Sequence, residues 1–199
     1  MKIFLDTADT EVIKEHFETG LIDGITTNPT LIRKSGRDPE DVYQELVDLG
    51  IQDISMEVVG DAQTMLNEGL RLSEKFGSVA TIKLPCDRNG LRVCHELTKE
   101  KIRTNVTLIF STSQAILAAK AGATYVSPFV GRLNDNSFSG VELVRAIAGT
   151  YSVQGVLYTG LSGVSEGLSS RITVPPVWCQ HCDSSSRSIP EDVWSCSDP

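Results

Sequence analysis

The sequence has 199 residues, which is enough for one domain with a full hydrophobic core. Hydrophobic residues make up 40% of it and charged residues 22%, as is usual for a globular protein. Its formal net charge of -8 argues against nucleic acid or an anionic membrane as the main partner. No apolar run approaches the roughly 20 residues of a membrane helix, and the start does not resemble a signal peptide, so we expect a cytoplasmic protein.

Short apolar strands alternate with amphipathic helices from the first residues to a last helix around residues 141–147. The pattern predicts strands at about residues 3–5, 24–27, 54–58, 80–85, 102–109 and 124–129. A helix is predicted after each strand, except that a loop rich in Asn, Asp and Ser separates the sixth strand from its helix. Six such βα units indicate a parallel sheet, and their even spacing favours a (β/α)8 barrel over an open sheet.

Lys83 lies in the middle of the apolar, strand-forming run Ala80-Thr81-Ile82-Lys83-Leu84-Pro85. A buried ammonium is costly unless it is paired or loses its proton, and a neutral lysine amine is a nucleophile that forms a Schiff base with a ketone or aldehyde. The alternative is that Lys83 lies at a strand end and extends its charge to water. The other polar residues of the predicted strands decide between the two.

Polar side chains occur on or just after every one of the six predicted strands. In a barrel these positions face the interior or the mouth, where a core built only for stability would carry apolar groups. Beside Lys83, the residues concerned are Asp6, Asn28, Glu57, Asn105, Thr107 and Ser127.

Six short motifs follow one another along the predicted strands. They are Phe4-Leu5-Asp6-Thr7-Ala8, Gly24-Ile25-Thr26-Thr27-Asn28-Pro29-Thr30, Ser55-Met56-Glu57-Val58, Ile82-Lys83-Leu84-Pro85, Asn105-Val106-Thr107-Leu108-Ile109-Phe110 and Ser127-Pro128-Phe129-Val130-Gly131-Arg132. With these motifs in this order, the chain resembles the small transaldolases, close relatives of fructose-6-phosphate aldolase, over about residues 1–156. The resemblance implies a (β/α)8 barrel and a Schiff-base enzyme of the pentose phosphate pathway that needs neither cofactor nor metal.

The resemblance also implies a role for each site residue. Lys83 would form the Schiff base, and Asp6 would be the acid/base at the hydroxyl of the cleaved bond. Glu57 and Thr107 would hold the water that shuttles protons. Asn28, Asn105 and Ser127 would bind the dihydroxyacetone hydroxyls. Arg132 would bind the phosphate of the sugar.

Each role has a simpler alternative. Asp6 could cap the helix that follows it, Glu57 could be a charge at a strand edge, and Arg132, expected in a loop, could be a solvated surface charge. Glu57 and Phe129 also separate two branches of the family, because the aldolase branch resembles this chain but carries Gln and Tyr there. The sequence therefore favours a transaldolase over an aldolase that releases free dihydroxyacetone.

Residues 157–199 depart from the family. They are rich in Ser, Pro, Cys and Trp and show no strand and helix alternation, so we expect an incomplete barrel followed by a disordered tail. Cys179, His181 and Cys182 could be considered as zinc ligands, but a structural site needs four ligands and only Cys196 is a plausible further one, so no metal site is expected. The family's ring-shaped homo-oligomers are expected, although the C-terminal segment that helps to hold them is not recognisable.

The tail also suggests a shifted reading frame. Read one base later, codons permitted for residues 158–168 and 178–187 can encode segments similar to the family's seventh and eighth strands. Under this hypothesis, the alternative to an active enzyme is a catalytically impaired chain that keeps the site residues without a closed barrel. Sequencing the coding DNA tests it.

Overall fold

The computed structural model describes residues 2–136, 139–153, 161–164 and 167–172. The predicted alternation of strands and helices is confirmed. The strands are β1 Phe4–Asp6, β2 Gly24–Thr26, β3 Ile54–Glu57, β4 Ala80–Pro85, β5 Arg103–Ile109 and β6 Tyr125–Pro128, followed by β7 Leu161–Val164 and β8 Gly167–Ile172. The helices are α1 Thr10–Phe17, α2 Pro29–Ser35, α3 Pro39–Asp48, α4 Ala62–Phe76, α5 Arg88–Lys99, α6 Thr112–Lys120, α7 Val130–Asp135 and α8 Gly140–Val153.

Each of the helices α1 to α6 begins at a side chain that caps the backbone. In each case an oxygen of the capping residue accepts a hydrogen bond from a free N–H of the first turn, which stabilises the helix by about 1 kcal/mol. The capping residues are Asp9, Asn28, Asp38, Asp61, Asp87 and Ser111. Across the part of the chain that the structure describes, no helix combines the length and apolar character needed to cross a membrane.

Strands β1 to β6 pair in parallel in sequence order. The helices cover the outside of this curved sheet and bury apolar side chains against it. This arrangement confirms the expected (β/α)8-type barrel that is incomplete in its βα units, with six in place of eight. The fully or almost fully buried residues of the helices include Ile13, Leu46, Met65, Val93, Leu97, Ala115 and Ile147.

The remaining arc differs from the sequence expectation, which recognised no seventh or eighth strand. Strands β7 and β8 form an antiparallel hairpin, and β7 pairs with β6 while β8 pairs with β1, so the ring of strands is closed. Antiparallel strands need only a short turn between them, whereas a parallel pair needs a crossover of a dozen residues or more. The zinc candidates Cys179, His181, Cys182 and Cys196, and most of the expected disordered tail, lie outside the described residues.

The polar segment after β6 forms the short helix α7, not the predicted loop, so Arg132 lies in a helix. The same polar side chains that suggested a loop bond the helix ends instead. Asn136 donates its side-chain N–H to the Arg132 carbonyl, and Asn134 accepts from the Gly140 N–H at the start of α8.

Aromatic rings fill the barrel at the N-terminal ends of the strands. Phe4 of β1 and Tyr125 of β6 make an edge-to-face contact with their ring centres 5.8 Å apart. Gly24 lies opposite Phe4 in the neighbouring strand, and a Cβ there would be 2.2 Å from the Phe4 ring and 2.4 Å from the Asp53 carbonyl oxygen. A side chain at position 24 would therefore exclude this packing.

Asp53 joins four strands at the same end of the barrel. Its carboxylate, in a residue only 2% exposed, accepts hydrogen bonds from Thr81 at 2.7 Å, Arg103 at 2.8 Å and the Tyr125 hydroxyl at 2.6 Å. Lys2, just before β1, lies 3.8 Å from the same carboxylate. Asp53 directly precedes β3, and its donors come from β4, β5 and β6. One buried carboxylate therefore connects four of the eight strands.

Replacing Asp53 tests this connection. We expect Asp53→Ala to lower the free energy of unfolding by about 3–5 kcal/mol, because it removes the buried carboxylate that accepts hydrogen bonds from Arg103 and from the Tyr125 hydroxyl. Asp48→Ala is the control, since Asp48 is exposed and accepts one hydrogen bond from Gln44, and it should cost less than about 0.5 kcal/mol. Urea unfolding of the two variants measures both values, and equal losses would contradict the role of Asp53.

Candidate active site

The register of the parallel sheet brings the predicted site residues to one end of the barrel. Glu57 of β3 lies opposite Lys83 of β4, and Lys83 lies opposite Asn105 of β5. Asp6, Glu57 and Thr107 are at or near the C-terminal ends of their strands. In a barrel of this kind the C-terminal ends form the mouth, so these side chains converge there.

Lys83 is buried, with only 4% of its surface exposed, and does not extend to water. Its ammonium lies 3.0 Å from the Glu57 carboxylate and donates a hydrogen bond of 3.0 Å to the Thr27 carbonyl oxygen. The Glu57 side chain is 20% exposed, so the pair is shielded on the lysine side and open on the carboxylate side. Glu57 is therefore the partner of Lys83 and not an isolated strand-edge charge.

Asp6 ends β1 and is 7% exposed. Its carboxylate accepts a hydrogen bond of 2.8 Å from the Thr26 hydroxyl on the neighbouring strand. The following helix is capped by Asp9, whose oxygen accepts from the N–H groups of Glu11 and Val12. The alternative in which Asp6 caps this helix is wrong.

A chain of hydrogen bonds holds the amide of Asn105 across three strands. The Ser127 hydroxyl of β6 donates to its oxygen at 2.8 Å, and its nitrogen donates to the Ser55 hydroxyl of β3 at 3.2 Å. All three residues are buried. The amide is thus fixed in one orientation, with its oxygen toward Ser127.

Thr107 is the next inward residue of β5 after Asn105, and it is 2% exposed. Among the described residues its hydroxyl has no hydrogen-bond partner. A buried hydroxyl left unpaired costs about 1–3 kcal/mol, so such a group is retained at a cost to stability. The Thr107 hydroxyl is therefore available to a water molecule or a substrate.

The other three predicted residues follow the C-terminal ends of β2 and β6. Asn28 follows β2, where its side-chain oxygen accepts from the Leu31 N–H at 2.9 Å and caps α2. Phe129 follows β6, half-buried, with its ring 5.5 Å from that of Phe110. Arg132 is exposed one turn later in α7. All three lie on the mouth side, after the C-terminal ends of β2 and β6, and the described hydrogen bond and ion pair of Lys83 go to Thr27 and Glu57 instead.

A cleft of about 640 Å3 opens beside Glu57, between β3 and the helices α2, α3 and α4. Its cation Arg71 is already bound by carboxylates, Glu40 at 2.6 Å and Glu68 at 2.7 Å. Hydrogen bonds from Arg71 and Lys75 lower the pKa of Glu40 to about 2. Because these acids satisfy Arg71, the cleft offers no free positive charge at this point.

Three neighbours of the site were not singled out from the sequence. Thr26 and Ser55 stand two residues before Asn28 and Glu57, and the two-residue period of a strand could have indicated them. Tyr43 of α3 could not be found in this way, because it belongs to the apolar face of its helix. Burial raises the pKa of Tyr43, its side-chain hydrogen bond with Thr27 lowers it, and the Glu57 carboxylate raises it further.

Comparison with known proteins agrees with the resemblance noted in the sequence. Residues 3–173 match the family described as Transaldolase/Fructose-6-phosphate aldolase, so the match extends beyond the boundary expected near residue 156. A probable transaldolase of Caulobacter vibrioides (strain NA1000 / CB15N) is 51% identical over 156 residues, which cover 78% of this chain and 71% of the relative. A probable transaldolase of Ruegeria sp. (strain TM1040) is 43% identical over 187 residues, covering 88% of this chain and 86% of the relative.

Two threonines of the site make a matched test of its hydrogen bonds. Thr107→Val should leave the free energy of unfolding unchanged or raise it by about 1 kcal/mol, because it removes a buried hydroxyl without a partner. Thr26→Val should lower it by about 1.5–3 kcal/mol, because it removes the donor to the Asp6 carboxylate. Both values come from urea unfolding, and a larger loss for Thr107→Val than for Thr26→Val would contradict the described bonding.

Proposed function

Because the chain belongs to the transaldolase/fructose-6-phosphate aldolase family, we propose that it is a transaldolase that acts through a Schiff base on Lys83. It would move a dihydroxyacetone unit from fructose 6-phosphate or sedoheptulose 7-phosphate to an aldose phosphate, in the pentose phosphate pathway. The observation that carries the proposal is the buried Lys83 amine, 3.0 Å from a carboxylate that stays open to the mouth. That arrangement suits an amine that must lose and regain protons during catalysis.

Imine formation is the first chemical step. The unprotonated Lys83 amine attacks the C2 carbonyl of the ketose, and the resulting carbinolamine loses water to give a protonated imine. Glu57 is placed to accept the ammonium proton, and a water molecule held by Glu57 and Thr107 would carry protons to and from the carbinolamine oxygen. The unpaired Thr107 hydroxyl supports this role.

Carbon–carbon cleavage is the second step. Asp6 takes the proton of the C4 hydroxyl, the C3–C4 bond breaks, and the bond electrons move to the protonated imine, leaving an enamine on Lys83 and a free aldose. The enamine carbon then attacks the aldehyde of the acceptor, Asp6 returns a proton, and hydrolysis releases the new ketose. General-base help of this kind is worth about a hundredfold to ten-thousandfold.

The remaining residues are assigned to substrate binding. Asn105, held by Ser55 and Ser127, presents a fixed amide beside Lys83, and Asn28 flanks the site from β2. Asn28, Asn105 and Ser127 would bind the hydroxyls of the dihydroxyacetone unit. Arg132, exposed in α7, would bind the phosphate, because a planar guanidinium at the mouth suits that group.

A second candidate is fructose-6-phosphate aldolase, the other activity in the family's description. Glu57 and Phe129 favour the transaldolase, since a carboxylate and an unsubstituted ring stand where the aldolase branch would carry an amide and a phenol. The proposed cytoplasmic location and homo-oligomeric assembly stay predictions.

Reductive trapping tests the Schiff base. With borohydride and dihydroxyacetone or fructose 6-phosphate, we expect a stable covalent adduct on Lys83, located by peptide mass spectrometry. Lys83→Arg should abolish the adduct, because a guanidinium keeps its charge and is not nucleophilic. Lys120→Arg, at an exposed position of α6, is the matched control and should retain it.

Two results would contradict the proposal in different ways. Labelling of another lysine in folded protein, with Lys83 unmodified, would overturn the assignment of the nucleophile. No adduct in folded protein would support the alternative of a catalytically impaired chain, with the site residues present but inactive. Circular dichroism and size-exclusion chromatography establish the folded state beforehand.

Phosphate recognition is tested at Arg132. Arg132→Ala should weaken the binding of phosphorylated sugars by about 1.5–3 kcal/mol, the contribution of a hydrogen bond to a charged group, and leave dihydroxyacetone binding unchanged. Arg92→Ala removes the same charge from an exposed position of α5 and serves as the control. Equal losses for phosphorylated and unphosphorylated ligands would remove Arg132 from this role.

A further inference from the structure

Strand β5 departs from regular geometry directly after Thr107. Leu108 has a φ of 60°, in the left-handed region that leucine rarely adopts. The pairing with β6 shifts at the same point, between Val106 and Ile109. These two observations define a β-bulge.

Burial along the strand identifies Leu108 as the extra residue. Successive residues of a strand face opposite sides, so core residues should recur every second position. Here Val106 and Ile109 are both fully buried in the core although they are three apart, while Leu108 between them is 41% exposed. Bulges next to active sites commonly re-aim a side chain, and the neighbouring side chain here is that of Thr107.

The side chain of Gln114, in the first turn of α6, spans this bulge. Its oxygen accepts a hydrogen bond of 2.8 Å from the Phe110 N–H, and its nitrogen donates a longer one, of 3.5 Å, to the Leu108 carbonyl oxygen. The Gln114 backbone N–H is fixed in turn by the Ser111 hydroxyl at 3.2 Å. The Gln114 amide therefore bonds the backbone at the bulge, at Leu108 and at Phe110, to the first turn of α6.

We propose that Gln114 is a positioning residue for Thr107, and that it acts by holding the Leu108 bulge in its unfavourable backbone conformation. Without the two hydrogen bonds, Leu108 would relax toward ordinary strand geometry and displace the adjacent Thr107 hydroxyl, which lies two residues beyond Asn105, the residue paired with Lys83. The inference rests on the proposed function, in which Thr107 helps to move protons during imine formation. Displacements of about 1 Å in such groups can cost up to about a hundredfold in rate.

The substitutions separate the two hydrogen bonds. Gln114→Ala removes both, and Gln114→Glu keeps an acceptor for the Phe110 N–H but has no donor for the Leu108 carbonyl. Gln44→Ala is the matched control, because Gln44 is exposed and its side chain donates a hydrogen bond to Asp48 in its own helix. Gln114→Ala combined with Leu108→Gly asks whether a residue that tolerates positive φ makes the two bonds unnecessary.

Three measurements apply to each variant. The first is the rate of adduct formation on Lys83 with dihydroxyacetone and borohydride, which does not depend on phosphate binding. The second is hydrogen exchange at the Phe110 amide, and the third is the NMR shift of the Thr107 methyl group. We expect Gln114→Ala to slow the adduct about tenfold to hundredfold, to speed Phe110 exchange and to move the methyl resonance. Gln114→Glu should lie between it and the wild type, and the double variant should recover part of the rate.

The outcomes distinguish failure of this inference from failure of the proposed function. A normal adduct rate for Gln114→Ala, with faster exchange at Phe110, would overturn the positioning role. Unchanged exchange at Phe110 would overturn the role of the two Gln114 hydrogen bonds in holding the bulge.

If the wild-type chain forms no adduct, the proposed function fails. The Thr107 methyl resonance then tests the inference alone: a shift in Gln114→Ala supports it, and an unmoved resonance overturns it.

Discussion

A buried ammonium beside a half-open carboxylate is the constraint that the rest of the site must satisfy. Lys83 cannot be buried in the barrel without compensation, and the parallel register of β3 and β4 places Glu57 directly opposite it, at 3.0 Å. The Thr27 carbonyl oxygen, directly after β2, accepts a hydrogen bond from the same ammonium. A shift of one residue in the pairing of β3 with β4 would turn either Glu57 or Lys83 away from the barrel interior. The chemistry therefore depends on strand register before it depends on any loop.

The two ends of the barrel differ in how completely their polar groups are satisfied. At the N-terminal end, the Asp53 carboxylate receives three hydrogen bonds and a nearby ammonium, so charge there contributes to stability. At the mouth, Thr107 keeps a buried hydroxyl without a protein partner among the described residues, and Leu108 keeps an unfavourable backbone angle. The satisfied network at one end offsets the cost of the unpaired hydroxyl and the strained backbone at the other end, which the proposed function would use for a substrate.

Most of the six βα units could be predicted because their signals are local. Apolar periodicity marked the strands and the helices after them, and residues that favour helix starts, such as Asn28 and Asp38, cap two of these helices in the structure. The closing hairpin could not be predicted in the same way, because Leu161-Ser-Gly-Val164 lacks apolar alternation and its position follows from pairing with distant strands. The Leu108 bulge was equally hidden, since its sequence looks like a regular strand. Of the site, polar residues at strand ends were identifiable, whereas Thr26 bonding Asp6 and Tyr43 near Glu57 required the tertiary structure.

The antiparallel hairpin also bears on how the chain folds. Its own pairing is local, but its bonds to β1 join residues as distant as Phe4 and Ser169. Contacts between such distant parts of a chain form slowly, because the intervening segment must already be ordered before they repay the entropy of closure. The six-stranded sheet with its covering helices is thus expected to assemble first, and the junction of β8 with β1 to form last. Until then β1 presents an unpaired edge, which is the point where a second chain could compete with the hairpin.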